Sequence, residues 1–231
     1  MDQYQEYIAA SRYARYQDDK GRRETWPETV QRFVDYIFSR TPAITANSAL
    51  KEELFSAIKN LELMPSMRAM MTAGKSADRD NTCVYNCSYL PVDDVKSFDE
   101  AMFILLCGTG VGFSVESKYI NQLPEVPEKL FQSGGVLNVH DSKEGWAKSL
   151  RLLIAHLYAG EIPQWDVSAV RAAGARLKTF GGRASGPQPL VDLFEFTVAL
   201  FKAAKGRRLN SLECHDLMCK IGEVVVVGGP A

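Results

Sequence analysis

The chain has few of the residues from which metal sites and disulfide frameworks are built. Its 231 residues include five cysteines and three histidines, and no two cysteines form a Cys-x-x-Cys pair. Structural zinc sites use cysteine and histidine ligands paired at such short spacings, so we expect no metal site. An odd number of cysteines is more typical of free thiols than of a disulfide framework.

The sequence also lacks an excess of charge and a long apolar run. Its 27 basic residues are balanced by 28 acidic ones, for a net charge of -1, which argues against a basic nucleic-acid-binding surface. No apolar run approaches the roughly 18 residues that cross a bilayer, and the polar start Met1–Gln5 has no signal-peptide core. We therefore expect a cytoplasmic protein that binds neither nucleic acid nor membrane directly.

Hydrophobic periodicity divides the chain into a helical first part, residues 1–75, and a mixed second part, residues 76–231. In the first part Thr25 and Glu28 have capping-box spacing ahead of an apolar stripe at helical spacing. In the second part the pattern predicts strands over 84–90, 111–115, 135–139 and 176–180, and helices over 97–106, 141–158, 190–205 and from about 212. This alternation predicts an α/β fold with a mostly parallel sheet or barrel.

The last residues are unusually apolar. Val224–Val227 is a run of four valines, followed by Gly228-Gly229-Pro230-Ala231. Such a run is an aggregation hazard when it is exposed. We expect it to lie in the core of a larger folded unit of which this chain is a part.

Two cysteine-bearing motifs carry the functional hypothesis. Cys87 lies in a β-prone run, and Cys107 precedes the turn Gly108-Thr109-Gly110-Val111-Gly112. This turn follows a predicted helix and opens a predicted strand, whereas a dinucleotide fingerprint follows a strand and opens a helix. Its glycines still allow backbone N–H groups to approach a ligand closely. A strand thiol beside such a turn indicates cysteine redox chemistry on a bound, phosphorylated small molecule.

The other four cysteines read as structural. If Cys83 and Cys87 share one strand, they lie on one face about 13 Å apart, too far for a disulfide. Cys107 ends a predicted helix, and Cys214 and Cys219 point well apart on a late helix because five residues separate them.

Five segments in sequence order resemble a known family. They are Met64–Met70, Tyr85–Pro91, Cys107–Glu116, Leu177–Pro187 and Cys214–Glu223. Together they resemble the N-terminal part of the adenosylcobalamin-dependent (class II) ribonucleotide reductases, specifically the monomeric ribonucleoside-triphosphate reductase type. The resemblance implies an N-terminal helical region followed by the first half of a ten-stranded α/β barrel, with the radical cysteine in a missing C-terminal part.

The same resemblance implies roles for particular residues. Cys87 becomes one of two thiols that face the ribose and reduce it; the alternative is a buried cysteine acting as a small hydrophobe. The residues implied to line the substrate site are Ser66, Met67, Arg68, Asn86, Gly108, Thr109 and Gly110, the first three at the phosphates. Those implied to form an effector-responsive specificity loop are Gly181, Gly182, Arg183 and Ser185. A surface charge at Arg68 and a plain surface turn at 181–186 remain alternatives.

The resemblance further implies adenosylcobalamin, bound largely by the missing part, and a deoxynucleotide effector. The implied partners are a ribonucleotide substrate, a thioredoxin-like reductant and a complementary C-terminal half, without which we expect the chain to be inactive. The sequence leaves open whether diphosphates or triphosphates are reduced. Two other hypotheses are a catalytically inert nucleotide-binding or regulatory module and, with less support, a glycyl-radical relative.

Overall fold

The computed structural model describes residues 1–175 and 183–226. The chain forms two compact units, Met1–Asn86 and the residues from Cys87 onwards, and each has a hydrophobic core of its own. Among the described residues, none of the helices combines the length and apolarity that crossing a bilayer requires.

The first unit is mainly helical. Its elements are α1 (Gln3–Ile8), a π-helical turn (Ala9–Tyr13), β1 (Tyr16–Gln17), β2 (Arg22–Arg23), α2 (Trp26–Arg40), α3 (Ser48–Lys59), α4 (Met67–Thr72), α5 (Lys75–Arg79) and a 3-10 turn (Asn81–Val84). Strands β1 and β2 pair antiparallel. The core lies between α2, α3 and α4, where Val30, Val34, Ile58 and Met70 are buried.

The predicted capping box starts α2. The Thr25 amide donates to Glu28 Oε2 at 2.8 Å, and the Glu28 amide donates to Thr25 Oγ1 at 3.4 Å. This reciprocal pair satisfies two of the amides that every helix start leaves without an intrahelical partner, so the helix begins where the sequence predicts.

The second unit alternates strands and helices. Its elements are β3 (Cys87–Pro91), α6 (Ser97–Leu106), β4 (Gly110–Ser114), α7 (Ser117–Ile120), β5 (Phe131–Asn138), α8 (Lys143–Tyr158), β6 (Glu161–Asp166), α9 (Gln188–Ala203) and α10 (Ser211–Val226). Strands β3 and β4 pair parallel across α6, and β5 and β6 pair parallel across α8. The α/β prediction is confirmed as two βαβ units; the described residues form two-stranded sheets and do not close a barrel.

The core of the second unit lies between its long helices and the inner faces of the strands. Phe98, Met102, Trp146, Phe194 and Phe201 are among its fully buried side chains. Helix α6 contacts both α8 and α10, so the element that joins β3 to β4 is held on two sides.

The predicted strands differ from the structure at several points, and the strand predicted over 135–139 begins earlier, at Phe131 of β5. The strand predicted over 84–90 begins only at Cys87, because Asp80 caps a 3-10 turn that ends at Val84 by accepting from the Thr82 amide at 2.9 Å. Cys83 lies in that turn and not on the strand, so the shared-strand geometry predicted for Cys83 and Cys87 is wrong. Strand β6 was not predicted, since Pro163 interrupts its pattern. The strand predicted over 176–180 lies outside the described residues.

Candidate functional site

Cys87 is the first residue of β3, and its thiol is free and exposed. The parallel register places it beside Gly110, the first residue of β4. The prediction that Cys87 lies on a strand is therefore confirmed. Its exposure does not fit the alternative of a cysteine buried as a small hydrophobe.

The strand pair β3–β4 has one covered and one open face. Leu90 is buried in the core, and Val111 and Phe113 pack against that core from the covered side. Because side chains alternate along a strand, Cys87 and Tyr89 point to the other face. Their partners in the register are Gly110 and Gly112, which add no side chain. The open face therefore carries a thiol, an aromatic ring and exposed backbone.

The glycine turn joins α6 to β4 as predicted. Gly108 has a φ of +81°, a left-handed conformation that favours glycine, and its amide donates to Leu105 O at 2.8 Å. Gly108 and Gly110 are exposed, whereas Thr109 as a whole residue is 1% exposed and its amide donates to Ile104 O at 3.2 Å. Of the three residues predicted to contact the substrate in this turn, only Gly108 and Gly110 are therefore accessible.

Side chains fix this turn from both ends. Cys107 caps the end of α6, and Lys143 Nζ donates to its sulfur at 3.0 Å while lying 5.0 Å from the centre of the Phe103 ring. At the other end Ser88 Oγ donates to Gly110 O at 3.0 Å. These contacts hold the glycine backbone rigidly beside Cys87.

A hydrogen-bonded cluster borders the open face. The Tyr89 hydroxyl is hydrogen-bonded to Tyr119 and to Ser114, and the Tyr119 bond raises the pKa of Tyr89. Lys118 lies 3.2 Å from Glu116 Oε2, and its hydrogen bond lowers the pKa of Glu116. The tyrosine thus stays protonated and the carboxylate ionised at neutral pH.

The residues predicted to meet the substrate phosphates lie in the first unit. Ser66 caps α4 by accepting from the Ala69 amide at 3.4 Å, Met67 is exposed and Arg68 is half-buried. Asn86 is exposed and is bonded directly to Cys87. Asn86 is thus next to the thiol by covalent connection, whereas the roles of Ser66, Met67 and Arg68 stay predictions.

The predicted specificity loop is described only in part, because Gly181 and Gly182 lie outside the described residues. Arg183 is exposed, and its Nη1 donates to Gly174 O at 2.9 Å. Gly186 has a φ of +77°, and a Cβ there would lie 2.9 Å from Ala173 N. Arg183, Ser185 and Gly186 therefore fold back along residues 173–175, a geometry that is compatible with either a specificity loop or a plain surface turn.

The remaining cysteines differ in exposure. Cys83, Cys107 and Cys214 are buried, and burial raises the pKa of Cys214 to about 12. Cys219 is exposed, with its sulfur 3.6 Å from His215 Nε2, and the structural role predicted for it stays a prediction. The spacing of four residues on a predicted helix was a signal from which this Cys–His pair could have been found.

A cavity of about 460 Å³ lies between α6 and α8. Its wall includes Asp99, which is 3% exposed and bonded to Arg151 Nη2 at 2.7 Å. Desolvation outweighs this ion pair and raises the pKa of Asp99. Sequence reasoning missed the pair because 52 residues separate its members.

Two family models match this chain. Residues 1–75 match the ribonucleotide reductase alpha domain, and residues 122–199 match the insertion domain of B12-dependent ribonucleotide reductase. The first match coincides with the predicted N-terminal helical region, and the second includes α8, β5 and β6.

Individual relatives give the same result. A Mycobacterium phage D29 protein named for adenosylcobalamin-dependent ribonucleoside-triphosphate reduction is 30% identical over 94% of this chain and 37% of its own length. The adenosylcobalamin-dependent ribonucleoside-triphosphate reductases of Lactobacillus gasseri and Euglena gracilis are 27% and 29% identical over 94% and 96% of this chain. These two matches span 38% and 33% of the relatives' lengths.

A solved structure extends the likeness to the fold. The crystal structure of a B12-dependent (class II) ribonucleotide reductase superimposes with a TM-score of 0.82 at 25% identity, over 95% of this chain and 40% of that one. The chain thus spans well under half of the proteins it matches. By sequence and by fold, it belongs with the N-terminal part of the B12-dependent (class II) ribonucleotide reductases.

Proposed function

We propose that this chain is the part of a ribonucleoside-triphosphate reductase that carries Cys87, one of the two thiols that reduce the ribose. The observation that carries the proposal is the exposed thiol at the start of β3, beside the bare backbone of Gly110. The names of the relatives support the substrate class. A cytoplasmic location accords with this role and stays a prediction.

The reaction needs two electrons from the protein. Cys87 and a second thiol on the remaining length of the reductase each give up one electron and one proton, and a disulfide forms between them. At the substrate the C2′–O bond is replaced by a C2′–H bond, and the oxygen leaves as water. A thioredoxin-like dithiol then reduces the disulfide by exchange.

The structure contributes rigidity and access to this step. A thiol on a strand is held more firmly than one on a loop, and small errors of position are costly when a reaction depends on distance and orientation. The glycines of the turn allow the sugar to approach the backbone beside the thiol.

Adenosylcobalamin, when bound, supplies the radical that starts the reaction. The proposal assigns its binding largely to the remaining length of the reductase, since this chain spans 37% to 38% of the first two relatives.

A deoxynucleotide effector is the second ligand of the proposal. Arg183 supports it, since an exposed guanidinium suits contact with phosphate or base. Replacing Arg183 by alanine in the reductase is expected to weaken the effector's influence on which base is reduced, with less effect on the rate without effector. An unchanged effector response would remove Arg183 from this role.

The test of the proposal compares two exposed thiols. In a reductase that includes this chain, Cys87→Ser is expected to abolish thioredoxin-supported ribonucleotide reduction, because no disulfide can form. Cys219→Ser is the matched control and is expected to keep the wild-type rate. Full activity of the Cys87→Ser enzyme would contradict the proposal and favour an inert nucleotide-binding module.

A further inference from the structure

The open face of the strand pair has a second side chain to which no role has been given. Tyr89 follows Cys87 by two residues on the same face, and its side chain is 62% exposed. The register places it beside Gly112, as Cys87 is placed beside Gly110. Between the thiol and the ring the surface is therefore bare backbone.

The Tyr89 hydroxyl interacts with Tyr119 and with Ser114, and Ser114 pairs with Pro91 in the register. These partners lie toward the end of β3 that is farther from Cys87. Ser114 is itself fixed, because its Oγ donates to Glu116 Oε2 at 3.2 Å and accepts from the Glu116 amide at 3.3 Å.

Anchoring continues on α7. Lys118 Nζ lies 4.8 Å from the centre of the Tyr119 ring and 3.2 Å from Glu116 Oε2. A ring whose orientation is set before a ligand arrives loses little freedom on binding. An exposed aromatic ring that is tethered at its hydroxyl is thus suited to contact a ligand with its face.

We propose that Tyr89 contacts the nucleobase of the substrate while Cys87 contacts the ribose. The bare backbone of Gly110 and Gly112 lies beside these two side chains. This inference rests on the proposed function and adds a binding residue to it. The Cβ atoms of residues i and i+2 on a strand lie about 7 Å apart, so one nucleoside can reach both side chains. An aromatic face suits substrates that differ in base, since every base has a π-face on which to stack.

The experiment uses the reductase that contains this chain together with its remaining length. Tyr89→Ala removes the ring and is expected to raise the KM for ribonucleoside triphosphates about tenfold while kcat falls less than about threefold. Tyr89→Phe keeps the ring and loses the tether, so a rise of about twofold to threefold is expected. Phe131→Ala, at a 65% exposed aromatic on β5, is the matched control and is expected to leave both constants unchanged.

Two results separate this inference from the function on which it rests. If Tyr89→Ala leaves KM within about twofold of wild type while Cys87→Ser is inactive, the role of Tyr89 is overturned and the proposed function stands. If the Cys87→Ser enzyme is active, the proposed function is contradicted, whatever KM values the Tyr89 variants show.

A second measurement tests the inference in case the Tyr89→Ala chain does not fold. The wild-type reductase is labelled with 3-fluorotyrosine, and the fluorine resonance missing from the Tyr89→Phe spectrum is assigned to Tyr89. Titration with a ribonucleoside triphosphate is expected to shift that resonance. No shift at saturating nucleotide overturns the inference.

Discussion

Residue by residue, exposure separates the five cysteines into two classes. Cys87 and Cys219 are exposed, whereas Cys83, Cys107 and Cys214 are buried. Reaction of a thiol requires access and the thiolate form. Burial removes access from Cys214, and its raised pKa disfavours the thiolate. The sequence alone could not make this division, because the exposure of each cysteine depends on the residues that pack against it from elsewhere in the chain.

We predict that two thiols of the folded chain react rapidly with a disulfide reagent such as DTNB, and that five react after denaturation. Cys87→Ser and Cys219→Ser are each expected to remove one rapid equivalent, whereas Cys214→Ser removes none. The measurement is the burst in released thionitrobenzoate. A third rapid equivalent would contradict the burial of the other three.

Glu24 is the buried acid of the first unit. Its side chain is 6% exposed, and its carboxylate accepts from Arg32 Nε at 2.8 Å and from the Arg15 amide at 3.0 Å. Burial alone raises the pKa of Glu24, but these hydrogen bonds outweigh burial, so the net pKa lies below its ordinary value of 4.5. A folded-state pKa below the unfolded one stabilises the protein above about pH 4.5, and that stability is lost as the pH falls through the folded value.

We predict that Glu24→Gln destabilises the chain by about 3 kcal/mol at pH 7, since it leaves the Arg32 charge buried without its partner. The difference from wild type is expected to shrink as the pH falls below 4.5, where the wild-type carboxylate also becomes protonated. Urea unfolding at pH 7 and at pH 3 measures both values. If the variant and wild type differ equally in free energy of unfolding at pH 7 and at pH 3, the charge of Glu24 does not contribute to stability.

At the scale of elements, two helix glycines differ in the space available for a side chain. Gly145 lies in the first turn of α8, where a Cβ would lie 2.5 Å from His140 O. Gly222 lies inside α10 with open space around the position of a Cβ. Both look alike in the sequence, because each interrupts a helical pattern with one residue of low helix propensity.

We predict that Gly145→Ala destabilises the chain by about 1–3 kcal/mol through this overlap. Gly222→Ala is expected to stabilise it by about 0.5–1 kcal/mol, because alanine costs less conformational entropy in a helix. Thermal unfolding of the two variants beside wild type gives the comparison. A stabilising Gly145→Ala would mean that α8 starts farther from residue 140 than the structure shows.

The sequence predicts which strands and helices exist better than it predicts how they pair. The βαβ order of β3, α6 and β4 follows from hydrophobic runs separated by a helical stripe, and a parallel pairing is the usual outcome of that order. Strand β6 was missed because its pattern is short and contains Pro163. Its place beside β5 is decided by packing against α8, which no local pattern encodes.

At the scale of the whole molecule, the chain spans 33% to 40% of the proteins it matches. The proposed reaction needs a second reducing thiol, a radical cysteine and the cofactor, and the proposal places all three on the remaining length. Under this proposal the chain supplies one wall of the site and not the complete catalytic machinery.

We predict that the chain by itself shows no cobalamin-dependent ribonucleotide reduction, and that activity appears when the remaining reductase length is supplied on the same or a second polypeptide. The measurement is conversion of a labelled ribonucleoside triphosphate with adenosylcobalamin and a dithiol present. Full turnover by residues 1–231 alone would contradict the placement of the missing groups.

Local information in the sequence determined the helices, the capping box at Thr25 and the glycine turn at Gly108, since each depends on residues within a few positions of one another. It also placed Cys87 on a strand and pointed to the family through five ordered motifs. Only the tertiary structure decided that Cys87 is exposed while Cys83 is buried, that Lys143 meets Cys107, and that Asp99 meets Arg151. These contacts join residues far apart in the chain, and burial is set by what packs against a side chain and not by its neighbours in sequence.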